Sequence, residues 1–308
     1  MSLLALFKRK GENGFGFGST AEEVTAGQDL SGRTMLLTGC NSGLGRETLR
    51  VLALRGAHVI ATARTQDKAA AAIEAAGARG RATALACELS EPSSVRACVA
   101  SVRERGSPLS AIVCNAGIMA LPRLEQKHGH ELQFFTNHVG HFILVTGLLD
   151  QLADDGRVVM LSSEAHRGAP SVGIELDNLS GANGYRGWSA YGQSKLANLL
   201  FAAELGRRFA GSKRTAHAVH PGVIKTDLAR HMNPIVRVGL AVAGPLALKT
   251  VAQGAATQCY AAAHPGAAAF SGQYLADCNP ARPSRHGRDP ELARRLWTAS
   301  EKIAAELA

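Results

Sequence analysis

Residues 34–45 read TMLLTGCNSGLG: a short apolar run, glycines at 39, 43 and 45, and then a helical pattern continuing to residue 55. Glycines let a chain turn tightly and bring its backbone close to a pyrophosphate. The N-terminus of the following helix adds free N–H donors and the positive end of a dipole. Glycines alone serve many loops. Set between a first strand and a first helix, Gly39, Asn41, Ser42, Gly43, Leu44 and Gly45 read as a dinucleotide cradle.

The rest of the chain repeats this alternation. Strand patterns fall at 34–38, 58–62, 82–86, 111–114, 157–161, 215–219 and 273–276. Helical patterns fall at 44–55, 67–76, 93–105, 137–152 and 190–209. Such alternation predicts an α/β fold, a Rossmann-type doubly wound parallel sheet of about seven strands in a single domain. Residues 1–30 read as an N-terminal extension and 31–308 as the catalytic domain. Within the extension Ser19 or Thr20, followed by Glu22 and Glu23, marks a helix start that Gly27 can stop. A ligand of such a sheet sits beyond the carboxyl ends of its strands, at the switch point.

The chain has 308 residues, 46% of them hydrophobic, and a formal charge of +9. The positive excess is scattered, only 5% of residues are aromatic, and no nucleic-acid motif accompanies it, so nucleic acid is not expected as a partner. The longest apolar stretch, 235–248, is too short to span a bilayer and carries Arg237 and Pro245. No integral membrane segment and no signal peptide are expected. The six cysteines, Cys40, Cys87, Cys98, Cys114, Cys259 and Cys278, show no metal or redox spacing. Buried free thiols in a reducing, cytoplasmic setting are the expectation, with no metal.

Two further stretches carry chemistry. The second strand ends Ala61-Thr62-Ala63-Arg64, where an NAD site wants a carboxylate for the ribose hydroxyls. None is present. Arg64, aided by Arg46, can instead clamp a 2′-phosphate, which favours NADP(H) over NAD(H). In AYGQSKLANLLFAAEL, Tyr191 and Lys195 stand four apart on one helix face. A cation held there favours the phenolate, so the tyrosine is expected to exchange its proton closer to neutral pH.

Together these residues resemble the short-chain dehydrogenase/reductase superfamily from about residue 31 to 280. The glycine turn is similar to its Thr-Gly-x-x-x-Gly-x-Gly signature, and Asn115-Ala116-Gly117 matches its Asn-Ala-Gly motif. Asn137 in FFTNHVGHF, Ser163 closing the fifth strand, Tyr191 and Lys195 match the catalytic tetrad. Pro221, Gly222, Val223 and Thr226 resemble the segment that touches the nicotinamide end. More narrowly, NHVGHF, SSEAHR, HPGVIKTDLARH and SGQYLADC resemble the retinol dehydrogenase group. That group includes the WW-domain oxidoreductases and a dehydrogenase of the chloroplast translocon. Two features depart from the common pattern. Glu88 stands where an Asp usually holds the adenine amino group, with Leu89 contributing its backbone, and residues 164–190 form a long loop flanking the substrate mouth.

The resemblance implies a reductase of an apolar ketone or aldehyde, or a dehydrogenase of the matching alcohol. Tyr191 acts as acid or base, Ser163 supports the substrate oxygen, and Lys195 contacts the nicotinamide ribose. Asn137 holds a water through its backbone. Ser163 rather than Ser162 follows the family pattern, since adjacent strand residues face opposite ways. His138, His141 and His220 read as structural supports, and His166 stays open as a substrate contact. Residues 227–248 fall where the family places a lid. A homodimer or homotetramer built on the helices of Asn137 and Tyr191 is the implied assembly. Two rivals remain: an NAD-dependent alcohol dehydrogenase of the same fold, and an NADP(H)-binding sensor subunit with little turnover.

Overall fold

Strand β1 (Thr34–Thr38) lies at the centre of the molecule, and the chain winds outward from it in both directions. Helix α2 (Gly43–Leu54), β2 (His58–Ala63), α3 (Gln66–Ala75) and β3 (Ala82–Ala86) extend one side. Helix α4 (Pro92–Arg103) then carries the chain back to β4 (Leu109–Cys114) on the other side. The computed structural model describes residues 10–224 and 248–308. Thr226 and residues 227–247 of the expected lid lie outside the described residues. The short helix α1 (Ala21–Val24) precedes β1 and starts at Thr20, whose side chain and that of Glu23 close a reciprocal capping box.

After β4 come α5, β5 (Leu152–Leu161), α6 (Gly187–Arg208), β6 (Thr215–His220), α7 (Val251–Ala263), β7 (Tyr274–Ala276), β8 (Asn279–Pro280) and α8 (Pro290–Glu306). Helix α5 runs as a short turn Leu132–Phe134, a widened π turn Phe135–Val139 and a regular segment Gly140–Thr146. The described sheet has eight strands in the order β8-β7-β6-β5-β4-β1-β2-β3. All pair in parallel except the two-residue edge β8, antiparallel to β7. Within this sheet that edge is the strand beyond the expected seven, and a separate two-stranded ribbon, Gln126–Lys127 with His130–Glu131, precedes α5. The chain reverses direction between β1 and β4, which makes their carboxyl ends the switch point.

Alternate residues of the central strands feed two apolar layers. Leu36 and Ile60 pack towards α4, α5, α6 and α8, whereas Met35, Leu37, Val59 and Ala61 pack towards α2, α3 and α7. Residues 10–30 join the second layer. Phe15 meets the rings of Tyr260 and His264 edge-on, and Ala21 and Val24 are fully buried.

Helix α8 begins at Asp289, whose carboxylate caps Glu291 and Leu292, with Pro290 in the first turn. It lays Leu292, Leu296, Trp297 and Ile303 over α5 and α6. Trp297 stacks on Phe201, meets Phe142 edge-on at 5.1 Å and takes the Arg208 guanidinium on its face at 3.8 Å. Replacing Trp297 by Ala removes these contacts from a closed core, so unfolding free energy is expected to fall by about 3–5 kcal/mol. Urea denaturation of the two proteins measures it.

Candidate active site

At the switch point, Thr38 ends β1 and its hydroxyl accepts from the backbone N–H of both Asn115 and Ala116, each at 3.0 Å. The Asn115 amide donates back to the carbonyls of Thr38 and Gly39. This lashing brings the ends of β1 and β4 so close that side chains are excluded. A Cβ on Gly39 would lie 2.8 Å from Ala116 Cα, and one on Gly45 would lie 2.0 Å from the Gly39 carbonyl oxygen. Gly39 also holds a φ of +69°, which glycine adopts without strain.

The glycines shape a cradle at the start of α2. Ser42 makes no side-chain cap and the first turn carries no acid, unlike α3, α7 and α8, whose N-caps are all satisfied. The first-turn N–H donors are therefore open to an anion, which fits a pyrophosphate. Arg46 and Arg64 are both exposed, Ala63 at the end of β2 is buried, and neither arginine forms an ion pair among the described residues. At the end of β3 the Glu88 carboxylate accepts from the hydroxyl and N–H of Ser90. Leu89 is buried with its carbonyl against Gly140 of α5.

Four side chains meet beyond β4 and β5. Ser162 turns inward and donates to the Lys195 carbonyl at 2.7 Å. Ser163 turns the other way, accepts from Ala165 N–H, and lies near enough to the Tyr191 phenol to favour its ionised form. The faces of the two serines thus separate as strand alternation requires. Lys195 Nζ donates to the Leu161 carbonyl at 3.0 Å and sits 5.6 Å from the Tyr191 ring centroid. Asn137, on the π turn, spends its amide on Ile118 N–H, the Ile118 carbonyl and Ser194 Oγ, and Ser194 in turn donates to the Tyr191 carbonyl. Gly117 leaves room for both Asn137 and Lys195, since a Cβ there would stand 3.0 Å from the first and 3.4 Å from the second. The Asn137 carbonyl accepts from His141 Nδ1 at 2.8 Å, which occupies one of its two lone pairs.

The charge state of the tyrosine differs from the sequence expectation. Burial pushes the Tyr191 phenol up to about 12, opposed by the nearby Ser163 hydroxyl, and pushes the Lys195 ammonium down to about 8. Desolvation outweighs the attraction of a cation whose nearest bond is to a carbonyl. In this structure the phenol stays protonated.

Pro221 and Gly222 follow β6. Gly222 has a φ of +85°, and its missing Cβ makes room for the Lys249 side chain. Val223 is 62% exposed. Trp188, in the long segment before Tyr191, is 55% exposed and meets the Tyr191 ring edge-on at 6.1 Å. The segment itself holds two short 3-10 turns, Glu164–Gly168 and Leu176–Asn178.

Ser194, to which the sequence gave no role, and His141, read there only as a structural support, belong to this arrangement. Their only signal was position inside the Tyr-Lys pentad and four residues beyond Asn137. His138 and His141 are fully buried, and both are held neutral: burial pushes them down to about 3 and about 4. His217 and His220 are likewise pushed down to about 4 by burial. None is charged near neutral pH, in keeping with support rather than acid–base work.

A protein-family model described as short chain dehydrogenase matches residues 33–235. Among curated proteins, the short-chain dehydrogenase TIC 32 A, chloroplastic, of Brassica napus is 39% identical, over 97% of this chain and 97% of its own. The WW domain-containing oxidoreductase of Homo sapiens is 36% identical, over 94% of this chain and 72% of its own. Among solved structures, a blue fluorescent protein from a metagenomic library, in complex with NADPH, superposes with a TM-score of 0.65 at 26% identity. It covers 81% of this chain and 97% of that one.

The histidines make a pH prediction. Their folded pKa values lie below the unfolded 6.5, so between those values the unfolded chain binds more protons. Stability is then full above pH 6.5 and is lost as pH falls from there towards 4, by at most about 1.4 kcal/mol per pH unit for each histidine. Melting temperatures should hold from pH 8 to about 6.5 and fall from there to pH 5, and a flat profile below pH 6.5 would contradict the buried neutral assignment.

Proposed function

The chain belongs to the short-chain dehydrogenase family, and from that premise we propose that it is an NADP(H)-dependent oxidoreductase. In this reading it reduces the carbonyl of a fairly apolar ketone or aldehyde, or oxidises the matching alcohol. The observation that carries the reading is the grouping of Tyr191, its phenol pushed up to about 12 by burial, with the Lys195 ammonium 5.6 Å from its ring and the Ser163 hydroxyl nearby. The uncapped start of α2 fits the pyrophosphate of a dinucleotide, and a nicotinamide held there supplies or accepts the hydride.

The rest is the work of the chain's own groups. As negative charge grows on the substrate oxygen, Tyr191 Oη gives up its proton to it. Ser163 Oγ, whose acceptor side faces Ala165 N–H, has its hydrogen free to donate a second bond to that oxygen. A phenol held near 12 reaches the reduction already protonated and needs no prior ionisation. In the oxidative direction the same phenol must first lose its proton, so that direction gains with rising pH. Lys195 is the reserve of positive charge, and its carbonyl anchor at Leu161 points its ammonium beside the ring. Asn137 sets the helix turn that faces Gly117 and, through Ser194, the backbone of Tyr191 itself.

Support for an apolar substrate comes from the exposed indole of Trp188 beside Tyr191 and the exposed Val223 beyond β6. Support for NADP(H) comes from Arg64 and Arg46, exposed and without acidic partners among the described residues, where β2 ends with no carboxylate. The NADPH-bound relative agrees with it. Six free, buried cysteines favour a reducing compartment, which we take to be the cytoplasm.

A panel of apolar ketones and aldehydes with NADPH tests the reading. Tyr191→Phe is expected to lower kcat about 10²–10⁴-fold while NADPH binding, followed by its fluorescence, stays unchanged. Turnover that survives the loss of that oxygen would refute the assigned proton donor. Tight NADPH binding with no turnover on any compound would instead make the protein a nucleotide sensor. Arg64→Ala is expected to raise the KM for NADPH about 10–100-fold, the value of one charge-assisted hydrogen bond, and to leave that for NADH near its starting value. An unaltered preference would remove Arg64 from the 2′-phosphate site.

A further inference from the structure

His166 follows the Ser162-Ser163 pair by three residues, inside the 3-10 turn Glu164–Gly168, and is 1% exposed. It does not face a substrate. Both ring nitrogens are taken by main-chain groups: Nδ1 lies 2.6 Å from the Ser163 carbonyl, and Ser284 N–H reaches Nε2 at 3.0 Å. A carbonyl can only accept and a peptide N–H can only donate, so the partners dictate the tautomer. The proton sits on Nδ1 and the lone pair on Nε2. The Ser163 carbonyl also accepts from the His166 backbone N–H at 3.0 Å, so one residue holds that peptide group twice.

The neighbours brace this ring. Tyr274 of β7 meets it edge-on at 5.1 Å and donates its hydroxyl to Glu164. Glu164 pairs with Arg167, and Arg167 donates to the Arg282 carbonyl at 2.6 Å. The stretch Ser162–Arg167 therefore grips residues 282–284 at two points, an Arg167 bond to a carbonyl and a His166 bond to an N–H. The Ser163 side chain accepts from Ala165 N–H inside the same turn, and its hydrogen must stay free for the substrate oxygen.

We infer that His166 is a positioning residue: it fixes the peptide of Ser163, and so the direction of the Ser163 hydroxyl, by bridging it to the backbone of Ser284 in the C-terminal segment. The inference rests on the proposed role of Ser163 as a donor to the substrate oxygen. It assigns a function to the SSEAHR motif beyond its two serines. It also makes the segment before α8, which carries no catalytic group, a determinant of rate.

Two substitutions in the full-length chain separate the two bonds. Asn at 166 places an amide N–H where Nδ1 was and is too short for Ser284. Gln extends an amide oxygen to Ser284 N–H and leaves the Ser163 carbonyl without the ring donor. Both lose packing against Tyr274, so the thermal midpoints of the two variants serve as the control for a merely structural role. His166→Gln is expected to lower kcat about 10–100-fold, the cost of a small misplacement of a reacting group. His166→Asn should keep kcat within about threefold of the parent at a similar midpoint, the smaller loss reserved for a retained donor. The KM for NADPH should be the same in all three. Equal rates in the two variants, or losses that follow the midpoints, overturn the inference. A second readout does not need turnover. Nitrogen-15 spectra of the histidine rings at pH 7 should show His166 in the Nδ1–H tautomer, and an Nε2–H or doubly protonated ring overturns the inference by itself. Should the parent turn over no compound of the panel, it is the functional reading that fails, and the spectra still decide whether the ring holds Ser163.

Discussion

The hydroxyl of Thr38 uses all of its hydrogen-bonding capacity at one junction, and the site is built outward from that point. It accepts from Asn115 N–H and Ala116 N–H and lies 2.9 Å from His141 Nε2. Because His141 Nδ1 must donate to the Asn137 carbonyl, Nε2 carries the lone pair and Thr38 donates to it. One small side chain thereby joins the ends of β1 and β4 to helix α5. A valine of the same shape would leave the Ala116 N–H and a buried ring nitrogen without these partners, each a loss of about 1–3 kcal/mol, and Asn115 N–H with the Val113 carbonyl alone. The close approach of Gly39 to Ala116, and with it the opening that the cradle needs, follows from that lashing.

The same burial that secures the junction decides the chemistry. Tyr191, Lys195 and Ser194 lie on the inner face of α6, the tyrosine at the edge and the other two inside. Low polarity disfavours any charge there, so the phenol keeps its proton and the ammonium loses some of its hold on one. Such a phenol is a weaker acid than a free one, but it rests with its proton in place. It is poorly placed to act as a resting phenolate. The proposed reductive reading needs a phenol that is protonated at rest, and burial provides one here.

Much of this was legible in the sequence because it is local. The glycine turn, the strand ends and the Tyr-x-x-x-Lys face each need only a few adjacent residues, and the strand positions agree with expectation to within a few residues. Three things were not legible, for different reasons. Helix α5 starts at Leu132 and closes at Thr146, not at 137–152, because a π turn at Phe135–Val139 widens it just where Asn137 must face Ile118. Helix α7 is buried almost all round, from Gln253 to Ala263, and so shows no amphipathic stripe to read. The net shift of Tyr191 runs opposite to expectation because desolvation, which depends on the whole fold, sets it. Helix α8 is a different case. Its Asp289 cap and Pro290 are a plain start signal, and its stripe of Leu292, Leu296 and Ile303 is regular.

That helix also bears on assembly. The resemblance placed a subunit interface on the helices of Asn137 and Tyr191, yet α8 already covers part of that face. Trp297 fills the space between Phe142 of α5 and Phe201 of α6, and Arg208 closes over its ring. A second subunit cannot occupy that area while α8 stays in place. Displacing α8 would return Leu292, Leu296, Trp297 and Ile303 to water, at roughly 1.5–3 kcal/mol for each such side chain. The cost is comparable to the whole stability of a domain. An assembly through α5 and α6 therefore has to use the part of that face that α8 leaves open.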